Sequence, residues 1–274
     1  MSKTGYIFCE GGAKSHDRRI LDTLILELAV KPRLVTAGSK RGMPAFIDGY
    51  FSGQRAVSPA FQIAFRDRDF DFPIPDKQSL IYTDKKRLFA SYRTTIENYL
   101  IAPDILFNFI EAKGISDTGI TNEASSKLFL DEVAAELKFY SAARHTLGSM
   151  RENLDFGTTW MPKSGALPES LEKEYCIEKS LMLIEPSREK SSNLSVDIFE
   201  KRYSEFLGKF DQSFFEKGDY LIWFNGKDLM ELIRKRLANT TFSEKAYFDF
   251  AHQYFDFRKF PDLTELFDKL NSQT

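Results

Sequence analysis

The sequence predicts an α/β fold: a mainly parallel sheet flanked by helices, followed by a mostly α-helical C-terminal region. Three patterns carry that prediction. Short apolar runs recur in the first hundred residues, each stopped by glycine or a charged residue. Single amphipathic helix patterns separate the first three of them, the spacing of βαβ units. From Pro103 onward the runs lengthen to helical period.

Taken in order, Tyr6 to Cys9 reads as a buried strand and His16 to Val30 as a helix, with Ile20, Leu21, Leu24, Ile25 and Leu28 on one stripe. Leu34 to Thr36 reads as a second strand closed by Gly38, Met43 to Phe51 as a helix, and Phe61 to Phe65 as a third strand. Leu80 to Thr83 and Leu88 to Tyr92 read as strands or strand edges around an Asp84-Lys85-Lys86 turn. This places an α/β domain at 1–102 and a mostly helical region at 103–274. In the latter, Ile105 to Ala112 and Ala124 to Leu147 are predicted helices, 155–168 a loop, and Leu171 to Ile184 a mixed signal stopped by Pro186. Ser187 to Ser195 reads as a linker, Ile198 to Phe215 as helix, Tyr220 to Phe224 as strand, and Lys227 to Ala238, Glu244 to Phe255 and Leu263 to Leu270 as helices.

With 42% hydrophobic and 28% charged residues, the 274-residue chain can bury a core and is not a disordered polymer. No apolar stretch is long enough to span a bilayer, and no secretory h-region opens the sequence. The two cysteines, Cys9 and Cys176, do not suggest a disulfide, so a cytoplasmic location is expected. A net charge of −2 argues against coating nucleic acid by bulk charge but is compatible with an enzyme that acts on it. Lys40-Arg41, Lys85-Lys86-Arg87 and Arg234-Lys235-Arg236 are the candidate basic rims, against the simpler reading of solvated surface clusters.

The chemistry-bearing residues are acids at strand ends. Glu10 ends the first strand before Gly11-Gly12, where the backbone can turn sharply and let a phosphate or metal approach. Asp67 and Asp69 follow the third strand; in an extended segment their carboxylates would share one side. Mg²⁺ takes oxygen ligands and keeps several waters, so two or three such carboxylates suffice. Simpler readings stand beside these: an N-cap acid for Glu10, and an Asp-rich turn for Asp67, Asp69 and especially Asp71. Glu97 would sit in the first turn of a helix capped by Thr94 or Thr95, which explains it without a metal. Lys14, Arg66 and Arg93 are the candidate phosphate-binding cations.

Other chemistries are poorly supported. Gly11-Gly12-Ala13-Lys14-Ser15 lacks two glycines of a nucleotide-binding P-loop, with Ala13 and Phe8 in their places. His16, His145 and His252 show no zinc spacing, and no nucleophile-elbow motif occurs.

Glu10-Gly-Gly, Asp67-Arg-Asp69-Phe-Asp71, Thr95-Ile-Glu97-Asn98-Tyr99-Leu100 and the later Gly226-Lys227-Asp228-Leu229 together resemble a Toprim-like family whose genes often sit beside ABC-type ATPases. The likeness extends to the Toprim effectors of PARIS-type anti-phage systems. It implies a Toprim-like sheet, a Mg²⁺- or Mn²⁺-dependent nuclease held in check by an ATPase partner, and host tRNA as substrate. By the same resemblance Glu10 matches the Toprim glutamate, Asp67 and Asp69 the Asp-x-Asp pair, and Glu97 the acid before Asn-Tyr. Arg93-Thr94-Thr95-Ile96 stands where the family often has another acid. A homodimer would add phosphate contacts that one small basic rim lacks. The alternatives are a non-catalytic, metal-stabilised module that docks on an ATPase, and a DNA nuclease or topoisomerase-like enzyme.

Overall fold

A computed structural model describes residues 4–38, 42–52, 59–82, 88–151, 157–162, 165–188 and 194–273. Lys40-Arg41 and Lys85-Lys86-Arg87 lie outside these residues, as do most of the expected linker at 187–195 and part of the expected loop at 155–168.

The chain divides into two compact units. One comprises Met1–Arg68, Pro75–Ile96 and His252–Thr274; the other comprises Asp69–Ile74 and Glu97–Ala251. This differs from a division at residue 102, because the C-terminal segment joins the sheet and a short loop after the third strand joins the helices.

The sheet unit carries β1 (Tyr6–Cys9), β2 (Arg33–Thr36), β3 (Gln62–Arg66), β4 (Ile81–Tyr82) and β5 (Leu88–Ala90), in the order β2-β1-β3-β5-β4. All pairings are parallel except β4 with β5. The mainly parallel α/β sheet predicted from sequence is therefore present. Helix α1 (His16–Leu26) starts where the Ser15 hydroxyl accepts the Arg18 N–H, with Asp17 in the first turn. Its stripe of Ile20, Leu21, Leu24 and Ile25 is buried.

Helix α2 (Met43–Ser52) packs on the sheet face that presents Tyr6, Phe8, Val35, Ala64 and Leu88. Strand alternation sends Ile7, Cys9 and Phe65 to the other face. There burial pushes the Cys9 thiol up to about 12, with Asp17 of α1 adding to the rise. The two connecting helices thus lie on opposite faces of the sheet.

Chain segment 252–274 returns as the last helix of this unit, Pro261–Asn271. Its carboxylates hold backbone just outside the strands: Asp262 Oδ2 accepts the Tyr92 N–H at 2.9 Å, and Glu265 Oε2 accepts the Leu80 N–H at 2.9 Å.

The helical unit contains α3 (Pro103–Lys113), α4 (Glu123–Met150), α5 (Lys173–Arg188), α6 (Val196–Lys209), α7 (Gln212–Lys217), α8 (Tyr220–Trp223), α9 (Gly226–Arg236) and α10 (Glu244–Ala251). The C-terminal helix of the sheet unit is α11. Helix α4 opens on a capping box made by Asn122 and Ser125 and packs against α3, α5, α6, α7 and α9.

Four local expectations are corrected. Tyr220 to Phe224 is one helical turn rather than a strand. It follows the left-handed Gly218 and precedes the Asn225 cap, and a short apolar run does not reveal its period. The run from Ile198 to Phe215 is two helices, restarted by the Asp211 cap. The mixed signal over Leu171 to Ile184 is helix from Lys173 onward and continues through Pro186 to Arg188. The helix expected at Glu97 is a 3₁₀ turn over Ile96–Tyr99. No helix among the described residues is long and apolar enough to cross a membrane.

Candidate functional site

The chain order β1, β2, β3 against the spatial order β2-β1-β3 puts a topological switch point between β1 and β3. In open α/β sheets the crevice outside the strand carboxyl ends at such a point is where ligands gather. Glu10 and Asp67 flank it. Cys9 pairs with Phe65 in register, so Glu10 lies one residue past the pairing and Asp67 two residues past it. Adjacent strands run about 4.8 Å apart, so the two residues leave neighbouring strand ends, staggered by one position.

The turn after Glu10 explains one of its two glycines. Gly11 has φ +75°, and a Cβ there would come within 2.5 Å of Ser15 Cβ, so glycine is required for the chain to fold back into the α1 cap. Its N–H donates to Gly38 O at 2.8 Å, tying the loops after β1 and β2 together. Gly12 meets nothing within 4 Å of an added Cβ. Lys14 is exposed on this turn.

Asp67 is only 4% exposed, and its neighbour Arg68 is fully buried. A charge at that depth must be hydrogen-bonded. Arg68 donates Nε–H to Tyr92 O at 3.1 Å and Nη2–H to Thr94 Oγ1 at 2.7 Å, while its backbone N–H donates to Ser91 Oγ at 3.1 Å. It thereby fastens the loop after β5 to the loop after β3. Thr94 serves this arginine. Arg66 is buried at the end of β3, and the Arg93 guanidinium carbon lies 4.8 Å from the centre of the Phe260 ring.

Asp69 does not share an extended segment with Asp67, which corrects the alternation expected from sequence. It has φ +50° and begins a turn. Asp tolerates this left-handed conformation better than most side chains. It belongs to the helical unit.

Glu97 also belongs to the helical unit and is 6% exposed. Its Oε1 lies 3.6 Å from Lys227 Nζ. Next to it, the Asn98 Nδ2–H donates to Phe224 O at 3.0 Å. The Asn225 side chain accepts the Lys227 and Asp228 N–H groups, so the Gly-Lys-Asp-Leu motif is a capped helix start that brings Lys227 to Glu97. Burial raises the carboxyl of Glu244, and Glu97 contributes to the rise.

The rim Arg234-Lys235-Arg236 is not a free phosphate track. Arg234 and Lys235 pair with Glu231, and Arg236 pairs with Glu132 and Glu136.

Sequence reasoning missed two residues here. Asp17 is a buried acid in the first turn of α1, facing the Gly11 turn, and reads in sequence as an ordinary helix-start acid. Arg68 reads as one more charge in a charged run, and its burial depends on a loop more than twenty residues away.

Among the described residues, no three His, Cys, Asp or Glu side chains gather as a metal cluster. The donors at the crevice are carboxylate oxygens, Glu10 and Asp67. They suit Mg²⁺ or Mn²⁺, which bind through one or two carboxylates with water and substrate phosphate completing the shell. They do not suit a zinc site built from nitrogen and sulfur.

No protein-family model matches the chain, and no curated protein matches it.

Proposed function

We propose that the chain is a Mg²⁺- or Mn²⁺-dependent nuclease of Toprim-like type. In this reading it is the toxic effector of an ATPase-coupled anti-phage system of the PARIS kind, with tRNA as substrate and an ABC-type ATPase as partner. The observation that supports a metal-dependent phosphodiesterase is the placing of Glu10 and Asp67 at the carboxyl ends of β1 and β3, on either side of the switch point. The family, the partner and tRNA rest on the motif resemblance.

A divalent cation, when bound, would polarise the scissile phosphate and offset its charge. Asp67 and Glu10 would hold it, with Asp69 and Glu97 assigned as further acids by the resemblance. Glu10 also takes the proton of the attacking water at a carboxylate oxygen. The water oxygen bonds to phosphorus, the bond to the leaving sugar oxygen breaks, and that oxygen takes a proton from solvent. Lys14 is the most exposed of the three predicted cations, and we assign it to the phosphate charge that grows in the transition state. Arg66 and Arg93 are assigned to orienting the strand-end loops.

The test is cleavage of tRNA, single-stranded RNA and plasmid DNA with Mg²⁺ or Mn²⁺ by the wild-type chain, Glu10→Ala and Asp67→Ala. The proposal expects metal-dependent tRNA cleavage that both substitutions abolish while circular dichroism stays unchanged. Folded variants that cut at the wild-type rate would sink the assignment. Cleavage of plasmid alone would favour the DNA-nuclease alternative. A chain that co-purifies with an ATPase and cuts nothing, alone or released from it, would favour the docking module.

A further inference from the structure

We propose that His16 and His252 form a proton-sharing latch that fastens the segment 252–274 to the start of α1 and loosens on acidification. Both histidines belong to the sheet unit, and the latch does not depend on the nuclease reading.

His16 is the first residue of α1, and His252 is the first residue of the C-terminal segment that completes the sheet unit. Both are partly buried. His16 Nδ1 and His252 Nε2 lie 2.9 Å apart, the ring centres are 5.2 Å apart, and the ring planes are 20° from parallel. Those centres are as far apart as two imidazoles touching through that contact can be. The rings therefore lie end to end and nearly coplanar, which is the geometry of an N–H···N hydrogen bond. Two imidazoles on one zinc ion would meet it at the tetrahedral angle instead.

One ring must donate and the other accept. His16 stands at the positive end of the α1 dipole, where a positive charge is disfavoured. The donor is therefore His252 Nε2–H and the acceptor His16 Nδ1. A first proton goes to His252 Nδ1 and makes the bond charge-assisted, which strengthens it. A second proton has to go to His16 Nδ1, where it faces the His252 N–H, and the latch breaks.

The surrounding charges are largely committed to one another. On α1, Arg18 pairs with Asp22 at 3.5 Å, and Asp17 and Arg19 adjoin it. On the segment, Arg258 pairs with Glu27 and Asp256, and Lys259 follows it. Strand β2, which packs on α1, carries only Arg33, at the strand start beside Gly5. Glu10 and Lys14 precede the α1 cap, and Asp249 stands three positions before His252.

In the unfolded chain each histidine titrates near its ordinary value of about 6.5. Below that pH the released histidines take up two protons where the latched pair holds one. The state that binds more protons gains as pH falls, so the open form gains up to about tenfold per pH unit below pH 6. Ser15, next to His16, donates its hydroxyl to Glu10 O at 3.4 Å, so the root of the Glu10 turn loosens with the segment.

The test is amide hydrogen exchange of the full chain at pH 7, 6 and 5, expressed as protection relative to the unstructured rate at each pH. The reporters are the Tyr92 and Leu80 N–H groups, which Asp262 and Glu265 of the segment hold. Wild type should lose protection by up to about tenfold per unit below pH 6. His16→Asn puts a carbonyl oxygen that does not titrate in place of Nδ1, so it should keep the protection and lose the pH dependence. His16→Ala should be poorly protected at every pH. Nuclear magnetic resonance of ¹⁵N-labelled wild type should show a nitrogen–nitrogen coupling across the hydrogen bond at pH 7 that fades at pH 5.

The proposal is overturned if wild-type protection is the same at pH 7 and pH 5, if it falls equally in His16→Asn, or if the coupling is absent at pH 7. Should His16→Ala fail to fold, the comparison of wild type with His16→Asn decides the matter.

Discussion

Arg144→Ala removes one partner of a buried ion pair in the helical unit. Arg144 on α4 and Asp228 on α9 are paired with almost no solvent contact, and Arg144 also covers the Phe70 ring. Burial is the largest influence on the Asp228 carboxyl and pushes it up from the ordinary value of 3.8, while Arg144 pulls it back. Without the arginine, the buried carboxylate must take a proton. Keeping a carboxyl that ordinarily titrates at 3.8 protonated costs about 1.4 kcal/mol per pH unit above that value, hence about 4 kcal/mol at pH 7 and under about 2 kcal/mol at pH 5. The lost cation–π contact adds about 1 kcal/mol. The pH 7 figure agrees with the roughly 3–5 kcal/mol seen when buried pairs are broken.

The sign follows from proton counting. A folded-state pKa raised above the unfolded one means that the native state binds more protons. Stability is then full below about 3.8 and falls as pH rises toward the folded value. Urea unfolding followed by fluorescence is the assay, because Trp160 and Trp223 both belong to the helical unit. Arg144→Ala should lose about 5 kcal/mol at pH 7 and recover about half of it at pH 5. Replacing the pair together, as Arg144→Met with Asp228→Leu, should cost far less than Arg144→Ala alone. A loss below about 1 kcal/mol at pH 7, or one that does not shrink on acidification, would refute the reasoning.

Asp262→Ala removes the carboxylate that accepts the buried Tyr92 N–H and should destabilise the sheet unit by about 1–3 kcal/mol, read as faster amide hydrogen exchange around β5. Tyr247→Phe deletes the hydroxyl that donates to Leu100 O at 2.9 Å and should cost about 1 kcal/mol in urea unfolding. Arg236→Ala breaks half-exposed pairs with Glu132 and Glu136; it should change stability by less than about 1 kcal/mol in urea unfolding. Burial pushes the thiols of Cys9 and Cys176 up to about 12, so Ellman's reagent at pH 8 should label neither until the chain is unfolded.

The sheet was legible in sequence because β1, β2 and β3 are short apolar runs between clear stops, and the helix of α1 because its apolar stripe and its Ser15 cap agree. Tyr220 to Phe224 was not legible, since a run with both ends buried carries no alternation to read. Glu10 and Asp67 could be picked out as strand-end acids, but the switch point between them depends on β2 pairing with the far edge of β1, which no local pattern encodes. Asp69 failed for a backbone reason: one left-handed residue cancels the alternation rule. Glu97 was visible as an acid near a helix start, yet its partner Lys227 is 130 positions further along the chain. The joining of 252–274 to the sheet was invisible for the same reason, because Asp262 and Glu265 act on backbone groups far away in sequence.

That late joining bears on the order in which the chain is made. The residues that close the sheet unit leave the ribosome after everything else in the described fold, while Glu97–Ala251 is already available to fold as a unit. The strands bearing Glu10 and Asp67 therefore emerge long before the helix whose carboxylates hold the backbone beside β4 and β5. During synthesis the acids at the crevice sit on an unfinished sheet, and a cell making this protein meets the completed strand ends only once residues 252–274 have been released.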